Sequence, residues 1–226
     1  MKWMPKKEDK AVAFWQWFEA NGQLYYELPE DKTEKLLYQL DKKIRKVNQD
    51  LAWEFSMDLI DGKREFTVSA DGIVEAFGDV ESLVKAAPEL PDFEIIPFRQ
   101  AREDEFSAEC NGIRLTMDDI FYSYEVGEET KLVHLCLYIK GLTPENAEDY
   151  ISLAFVLLDT AIGEYNVGMH VGEIDFERYK YNRGAKPLDT LKELFKETTN
   201  RIEFGSYKAS SNSRNNQSEI DPNSIS

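Results

Sequence analysis

The chain has 226 residues, of which 43 are acidic and 27 basic, and its formal net charge at pH 7 is −16. This length suits one large domain or two small ones, and the negative charge argues against nucleic-acid binding because it repels phosphate backbones. The only two cysteines, Cys110 and Cys136, exclude a disulfide framework and a four-cysteine zinc site.

The N-terminal part of the chain predicts two helices. Residues 8–20 carry five large apolar side chains among charges, which favours an aromatic helix packed on the domain, and Asn21 and Gly22 then form a stop signal. Asp31 and Glu34 resemble a capping box at the start of a second, amphipathic helix.

Residues 51–99 predict a β-β-α-β unit. Residues 51–57 and 64–70 alternate apolar and polar side chains, which is typical of two strands of a hairpin. Apolar residues at three- and four-residue spacing indicate a helix over residues 74–87. Residues 93–99 form a third strand, in which Pro97 favours a sheet edge.

The second half of the chain repeats this order of elements after a polar stretch, residues 100–112, that suits a hinge. Residues 113–117 suggest a short strand. The repeated unit consists of strands at 121–126 and 131–140, a very apolar helix from Thr143-Pro144 to Ile162, and a strand at 167–176. A last helix follows Pro187.

These elements predict an α+β fold. It has a mainly antiparallel sheet made of two β-β-α-β units, with helices packed mostly on one face. We expect the two units to share one interior and to leave their polar strand faces uncovered. Residues 1–204 would form a single domain, with halves at about 1–100 and 113–204. Residues 205–226 are rich in Ser and Asn and predict a disordered tail.

Signatures of common enzyme sites are missing from the sequence: there is no GxGxxG after a strand, GxxxxGK[ST], HExxH, pair of CxxC motifs or GxSxG. With His134 and His170 as the only histidines, a multi-histidine metal centre is excluded. His134 and Cys136 lie on one face of a predicted strand and could form a nucleophilic pair. A half-buried polar patch on a sheet is the simpler explanation of the two residues.

A carboxylate site is a second candidate. Glu54, Glu65 and Ser69 fall on the polar faces of two pairing strands, Asp71 follows the second strand, and Arg99 ends the next one. Their oxygens could hold a divalent cation such as Mg²⁺ or Ca²⁺, or the group could bind a basic ligand. A solvated strand face would have the same composition.

Asp159 and Glu164 flank the end of the very apolar helix. Carboxylates at a helix C-terminus oppose the helix dipole, so their presence calls for an explanation. Asp159 could lie on a water-facing stripe, or either acid could pair with Arg99 or Arg178.

Several stretches together resemble a widespread family of bacterial hypothetical proteins. The stretches are FWQWFEANG, LAWEFS, REFTVSADG, AAPELP, PFR and LLDTAIGEY, and the likeness covers roughly residues 13–176. The resemblance implies a bacterial, cytoplasmic protein and brings no activity or catalytic residues to transfer. The basic N-terminus leads to no apolar segment, and the longest apolar run, Leu153 to Leu158, is too short for a bilayer. These observations also favour a cytoplasmic protein without a membrane segment.

The leading functional hypothesis is a non-enzymatic module whose acidic surface binds a basic protein, as an immunity or antitoxin protein does. The alternative is a hydrolase or transferase that uses a divalent metal held by the carboxylates. A structural or oligomerisation domain is a third reading. The sequence chooses neither the partner nor the oligomeric state.

Overall fold

The computed structural model describes residues 9–102, 106–181 and 184–201. The chain divides into two compact regions, one that ends at Lys192 and one that starts at Glu193. The predicted disordered tail, residues 205–226, lies outside the described residues. The assignment of residues 1–204 to a single domain stays a prediction.

The described part of the chain forms six α-helices. They are α1 (Lys10–Glu27), α2 (Thr33–Val47), α3 (Phe77–Lys85), α4 (Ala147–Ile162), α5 (Glu164–His170) and α6 (Leu191–Arg201). Short 3-10 turns lead into α3 and α6. All five predicted helices are present, and α5 is an additional one.

The two N-terminal helices differ from the prediction at their ends. α1 continues through Gly22 to Glu27, and both Gly22 and Tyr25 are buried, so tertiary packing of this face outweighs the low helix propensity of glycine. The predicted capping box at Asp31 is wrong: α2 begins at Thr33 without a side-chain cap.

Nine strands are present in the described residues. They are β1 (Ala52–Phe55), β2 (Arg64–Ser69), β3 (Phe93–Pro97), β4 (Ser107–Cys110), β5 (Ile113–Thr116), β6 (Ile120–Val126), β7 (Val133–Ile139), β8 (Val171–Arg178) and β9 (Lys186–Pro187). They form three sheets, with strand orders β1-β2-β3, β4-β5 and β8-β7-β6-β9.

The two predicted β-β-α-β units have the same topology. In the first unit β2 lies between an antiparallel β1 and a parallel β3, and α3 makes the parallel connection. In the second unit β7 lies between an antiparallel β6 and a parallel β8, and α4 and α5 make the connection. The predicted α+β fold with mainly antiparallel pairing is confirmed, although the strands form separate sheets.

Three segments of the second half differ from the prediction. The predicted helix start at Thr143-Pro144 is wrong, because α4 begins at Ala147 without a side-chain cap. Much of the predicted hinge is the hairpin β4–β5, whose turn residues Asn111 and Gly112 have φ values of 51° and 77°. Asn-Gly is a strong hairpin signal that the polar composition of the stretch obscured. Residues 167–170, predicted to begin a strand, instead complete α5, and β8 starts at Val171.

The first half of the chain has a hydrophobic core of its own. Its buried residues run from Ala11 to Phe98 and form one cluster, against which Tyr165 of α5 packs from the second half. Phe18 of α1 stacks on Phe66 of β2 at 5.0 Å between ring centroids. The expected interior shared by both units is therefore wrong for this cluster, because its buried members all come from the first half.

Candidate functional site

Four of the predicted site residues meet through their side chains: the Arg99 guanidinium, two residues after the end of β3, and three carboxylates that surround it. Arg99 Nη2 donates to Asp71 Oδ1 at 2.6 Å, and its Nε donates to Glu54 Oε2 at 3.4 Å. Asp159 Oδ2 on α4 lies 3.8 Å from Nη1. The sequence grouped Glu54, Asp71 and Arg99 and named a pairing of Asp159 with Arg99 as one alternative, and the structure brings the four together.

Glu164 joins this cluster through the backbone. Its Oε1 accepts hydrogen bonds from the N–H groups of Ala70 at 2.9 Å and Gly72 at 3.2 Å, and its Oε2 accepts from Arg99 N at 3.0 Å. The Glu164 N–H in turn donates to the Arg99 carbonyl at 2.9 Å. A side chain with no exposed surface thus holds the turn after β2 and the segment after β3 against α5.

The helix-dipole argument made from the sequence does not apply to Glu164. The residue opens α5, so its carboxylate lies in a first helical turn, where negative charge is favoured. Gly163 makes the break between α4 and α5 with φ of 86°. A Cβ at residue 163 would lie 3.5 Å from the Arg99 carbonyl oxygen, so the chain passes close to this segment.

The charges of the cluster shift two pKa values. Burial lowers the pKa of Arg99, but the hydrogen bond and charge of Asp71, with Glu54 and Glu164, outweigh burial and raise it overall. Burial raises the pKa of Asp159 to about 7; Glu164 adds to the rise, and Arg99 only partly opposes it. Arg99 therefore stays cationic, while Asp159 titrates near neutral pH.

This arrangement is an ion-pair network within the chain, in which Glu54 and Asp71 are exposed and Asp159 is buried. The carboxylates of Glu54, Asp71 and Asp159 all approach Arg99, which supplies the cation that the predicted metal would have supplied. In residues 9–102, 106–181 and 184–201, no group of three or more His, Cys, Asp or Glu side chains is placed to hold a metal ion. The geometry favours a tie between segments over a Mg²⁺ or Ca²⁺ site.

Two other predicted residues of the first sheet have structural surroundings. Ser69 is fully buried, and its Oγ accepts a hydrogen bond from the Asp71 N–H at 3.0 Å, so it supports the turn. Glu65 has Glu94 as its neighbour on β3 and is absent from the ion pairs of Arg99. Because Thr67 is buried as well, the polar side of this sheet is closed at that end, and the expectation of an open face is wrong there.

His134 and Cys136 both lie on β7, and their surroundings do not favour the nucleophilic pair that the sequence suggested. The His134 Nδ1 accepts a hydrogen bond from the Glu173 N–H at 3.1 Å, so this nitrogen is occupied. Burial raises the pKa of the Cys136 thiol, and Asp175 and Glu177 add to this rise. A reactive cysteine needs a lowered pKa, so this raised pKa does not favour a nucleophilic role for Cys136.

The outer face of the second sheet carries a row of acids that the sequence reading missed. Glu173, Asp175 and Glu177 on β8 and Glu125 on β6 are all exposed. Glu125, Glu173 and Asp175 lie around His134 and line a shallow cleft of about 530 Å³, and Glu177 lies further along β8. We call the four acids the acidic face. The alternation of acidic residues with other residues in VGEIDFER was the signal available in the sequence. The prediction missed it because it placed the start of the strand too early.

Comparisons of this chain with protein-family models, with curated proteins and with solved structures give no match. The resemblance noted from the sequence therefore stays a prediction. Among the described helices, none combines the length and the apolar character needed to cross a bilayer.

Proposed function

We propose that this protein is a non-enzymatic binding module that engages a basic protein through the acidic face. The observation that carries the proposal is the set of four exposed carboxylates, Glu125, Glu173, Asp175 and Glu177, on one side of an otherwise well-packed sheet. Opposite charge steers two proteins together and fixes their orientation. The net charge of −16 extends this attraction beyond the face itself.

The other side of the same sheet supports this assignment. Val133, Leu135, Leu137 and Ile139 alternate with the outward residues of β7 and are all buried. Stability and binding are therefore divided between the two faces: one is packed, and the other is free to contact a partner. Inhibition of a basic enzyme by an immunity or antitoxin protein is the class of role that such a surface fits. A bacterial, cytoplasmic setting without nucleic-acid partners belongs to the same proposal.

Affinity capture tests the proposal. The bait proteins are the wild type, an E125Q/E173Q/D175N/E177Q variant, and a control in which Glu30, Asp31, Glu81 and Glu89 are neutralised. The control removes the same charge from exposed positions of the first half. We expect a basic protein to be retained by the wild type and the control and lost from the acidic-face variant. The affinity of that basic protein for the acidic-face variant should be at least about tenfold lower than for the wild type.

Salt adds an independent measurement for any protein captured in this way. Binding steered by exposed charges weakens as ionic strength rises, so affinity should fall between low and physiological salt. Retention that is the same for all three baits, or no specific retention at low salt, would contradict the proposal.

A further inference from the structure

β8 lies at the edge of its sheet. The strand order is β8-β7-β6-β9, and no strand in the described residues pairs with the outer side of β8. The equivalent strand of the first unit, β3, is shorter and ends in Pro97, which lacks a donor. β8 runs over eight residues and contains no proline. A free edge of this kind is a template for another strand.

The pairing with β7 determines which backbone groups of β8 are free. The N–H of Tyr179 donates to the Ile139 carbonyl at 2.8 Å. Both backbone groups of a residue in a parallel strand point to the same side, and successive residues alternate. The backbone of Glu177 therefore also faces β7. The N–H and C=O of Ile174 and Phe176 point away from β7, toward the unpaired edge of the sheet.

The side chains along this edge alternate in chemistry. Glu173, Asp175 and Glu177 project to the acidic face and are exposed. Phe176 projects to the other side, where its ring meets Phe155 of α4 edge-on at 5.4 Å. Phe155 is 41% exposed although its helix is largely buried. The edge thus has an acidic side and an apolar side.

We propose that the free edge of β8 binds an extended segment of the partner protein in which basic and apolar residues alternate. The segment adds a strand to the sheet through its backbone, its basic side chains meet the acidic face, and its apolar side chains cover Phe155 and Phe176. This inference rests on the proposed function and specifies its partner and mode of binding.

A second copy of this chain is a poorer occupant of the edge. In an antiparallel pair of two β8 strands, residues directly opposite each other project to the same side of the sheet. Any register that keeps the apolar side chains together places the carboxylates of Glu173, Asp175 and Glu177 opposite one another. Like charges in this position are destabilising, so charge complementarity selects a basic strand.

The test uses synthetic peptides of about eight residues, the length of β8, with alternating Lys and Val. One form is unmodified, a second carries N-methyl groups on every Val, a third carries them on every Lys, and a fourth has the same composition in scrambled order. Only alternate N–H groups of a paired strand face its neighbour. We expect one N-methylated form to bind at least about tenfold more weakly than the unmodified peptide. The other should bind nearly as well, and the scrambled peptide should bind weakly.

Amide hydrogen exchange of the full-length protein gives the structural measurement. On binding of the unmodified peptide, the amides of Ile174 and Phe176 should become protected, because they gain acceptors. Equal affinity for all four peptides would overturn the inference and leave charge-driven binding at the acidic face intact. Failure of every peptide to bind would also overturn it, whereas the proposed function is judged separately by the affinity capture.

Discussion

Glu164 shows how one side chain connects distant parts of the chain. Its hydrogen bond to Ala70 spans 94 residues of sequence, and its other partners lie after β2 and β3. A buried N–H without an acceptor costs about 1–3 kcal/mol, so the carboxylate satisfies groups that would otherwise destabilise the fold. Its importance comes from these bonds, because the side chain itself is fully buried and out of reach of any ligand.

Replacement of Glu164 by Ala should therefore be strongly destabilising. We expect the free energy of unfolding to fall by about 3 kcal/mol or more, because three N–H groups lose their acceptor. Urea unfolding followed by far-UV circular dichroism measures this change. The control Glu177→Gln, at an exposed position, should change stability by less than about 0.5 kcal/mol. A similarly small effect for both variants would show that the tie is unimportant for stability.

Asp159 makes stability depend on pH. Its pKa in the folded protein is about 7, raised mainly by burial, whereas an unfolded Asp titrates near 3.9. The folded state therefore binds the proton more tightly. The contribution of Asp159 to the free energy of unfolding is fully present below about pH 4 and is lost as the pH rises to about 7. A pKa that differs by about three between the folded and unfolded states corresponds to a loss of roughly 4 kcal/mol in the free energy of unfolding.

The variant Asp159→Asn removes this titration. We expect the free energy of unfolding of the variant, relative to the wild type, to increase between pH 4.5 and pH 8, because only the wild type must ionise a buried acid. Chemical unfolding at several pH values measures the difference. Asp58→Asn, at an exposed position, serves as the control and should follow the wild-type curve. A constant difference between Asp159→Asn and the wild type would rule out the raised pKa.

At the scale of elements, α5 can approach the start of α3 closely because residue 168 is a glycine and has no side chain. A Cβ at residue 168 would lie 2.5 Å from Phe77 Cζ and 3.2 Å from Val74 Cγ2. Gly78 on α3 is different, because a Cβ there would meet nothing within 4 Å. The same substitution should therefore act in opposite directions at these two helical glycines.

Gly168→Ala should destabilise the protein by about 1–3 kcal/mol, because the methyl group forces Phe77 to move. Gly78→Ala should stabilise it by about 0.5–1 kcal/mol, because alanine loses less backbone entropy in an exposed helix. Thermal unfolding of the two variants beside the wild type is sufficient. Stabilisation by both substitutions would mean that α5 and the start of α3 are less tightly packed than described.

At the scale of the whole molecule, the net charge of −16 is a cost to the folded state as well as an aid to binding. The charges are closer together when the chain is folded, so their repulsion is larger there. Arg99 offsets it locally by pairing with three carboxylates. Within the part of the chain that the structure describes, no ion pair involves a carboxylate of the acidic face, so that face suits the cation of a partner.

Moderate salt should consequently stabilise the protein. Raising NaCl from about 10 to 150 mM shortens the screening length from about 30 to 8 Å and should increase the free energy of unfolding by a few tenths to about 1 kcal/mol. Thermal unfolding at each salt concentration measures the effect. Choline chloride at matched ionic strength should act equally, since the effect is screening. A decrease in stability would indicate that favourable ion pairs outweigh the general repulsion.

The residues themselves determined most of the local structure. Alternation at Arg64–Ser69 and the three- and four-residue spacing around Phe77 identified a strand and a helix, because burial on one side of an element imposes its own period on the chain. Glu54, Asp71 and Arg99 were recognised as neighbours for a related reason. Strands joined by a hairpin, like β1 and β2, or by a crossover helix, like β2 and β3, pair predictably, so the relative positions of these three residues follow from the order of the elements.

Only the tertiary structure decided which groups approach each other from distant parts of the chain. The contacts of Glu164 with Ala70 and of Asp159 with Arg99 depend on how the end of α4 lies against the first sheet, and no local period encodes that. The same holds for the surfaces. Ser69 became buried and Glu173 stayed exposed because long-range packing, which sums many weak contacts, selects the face that is covered.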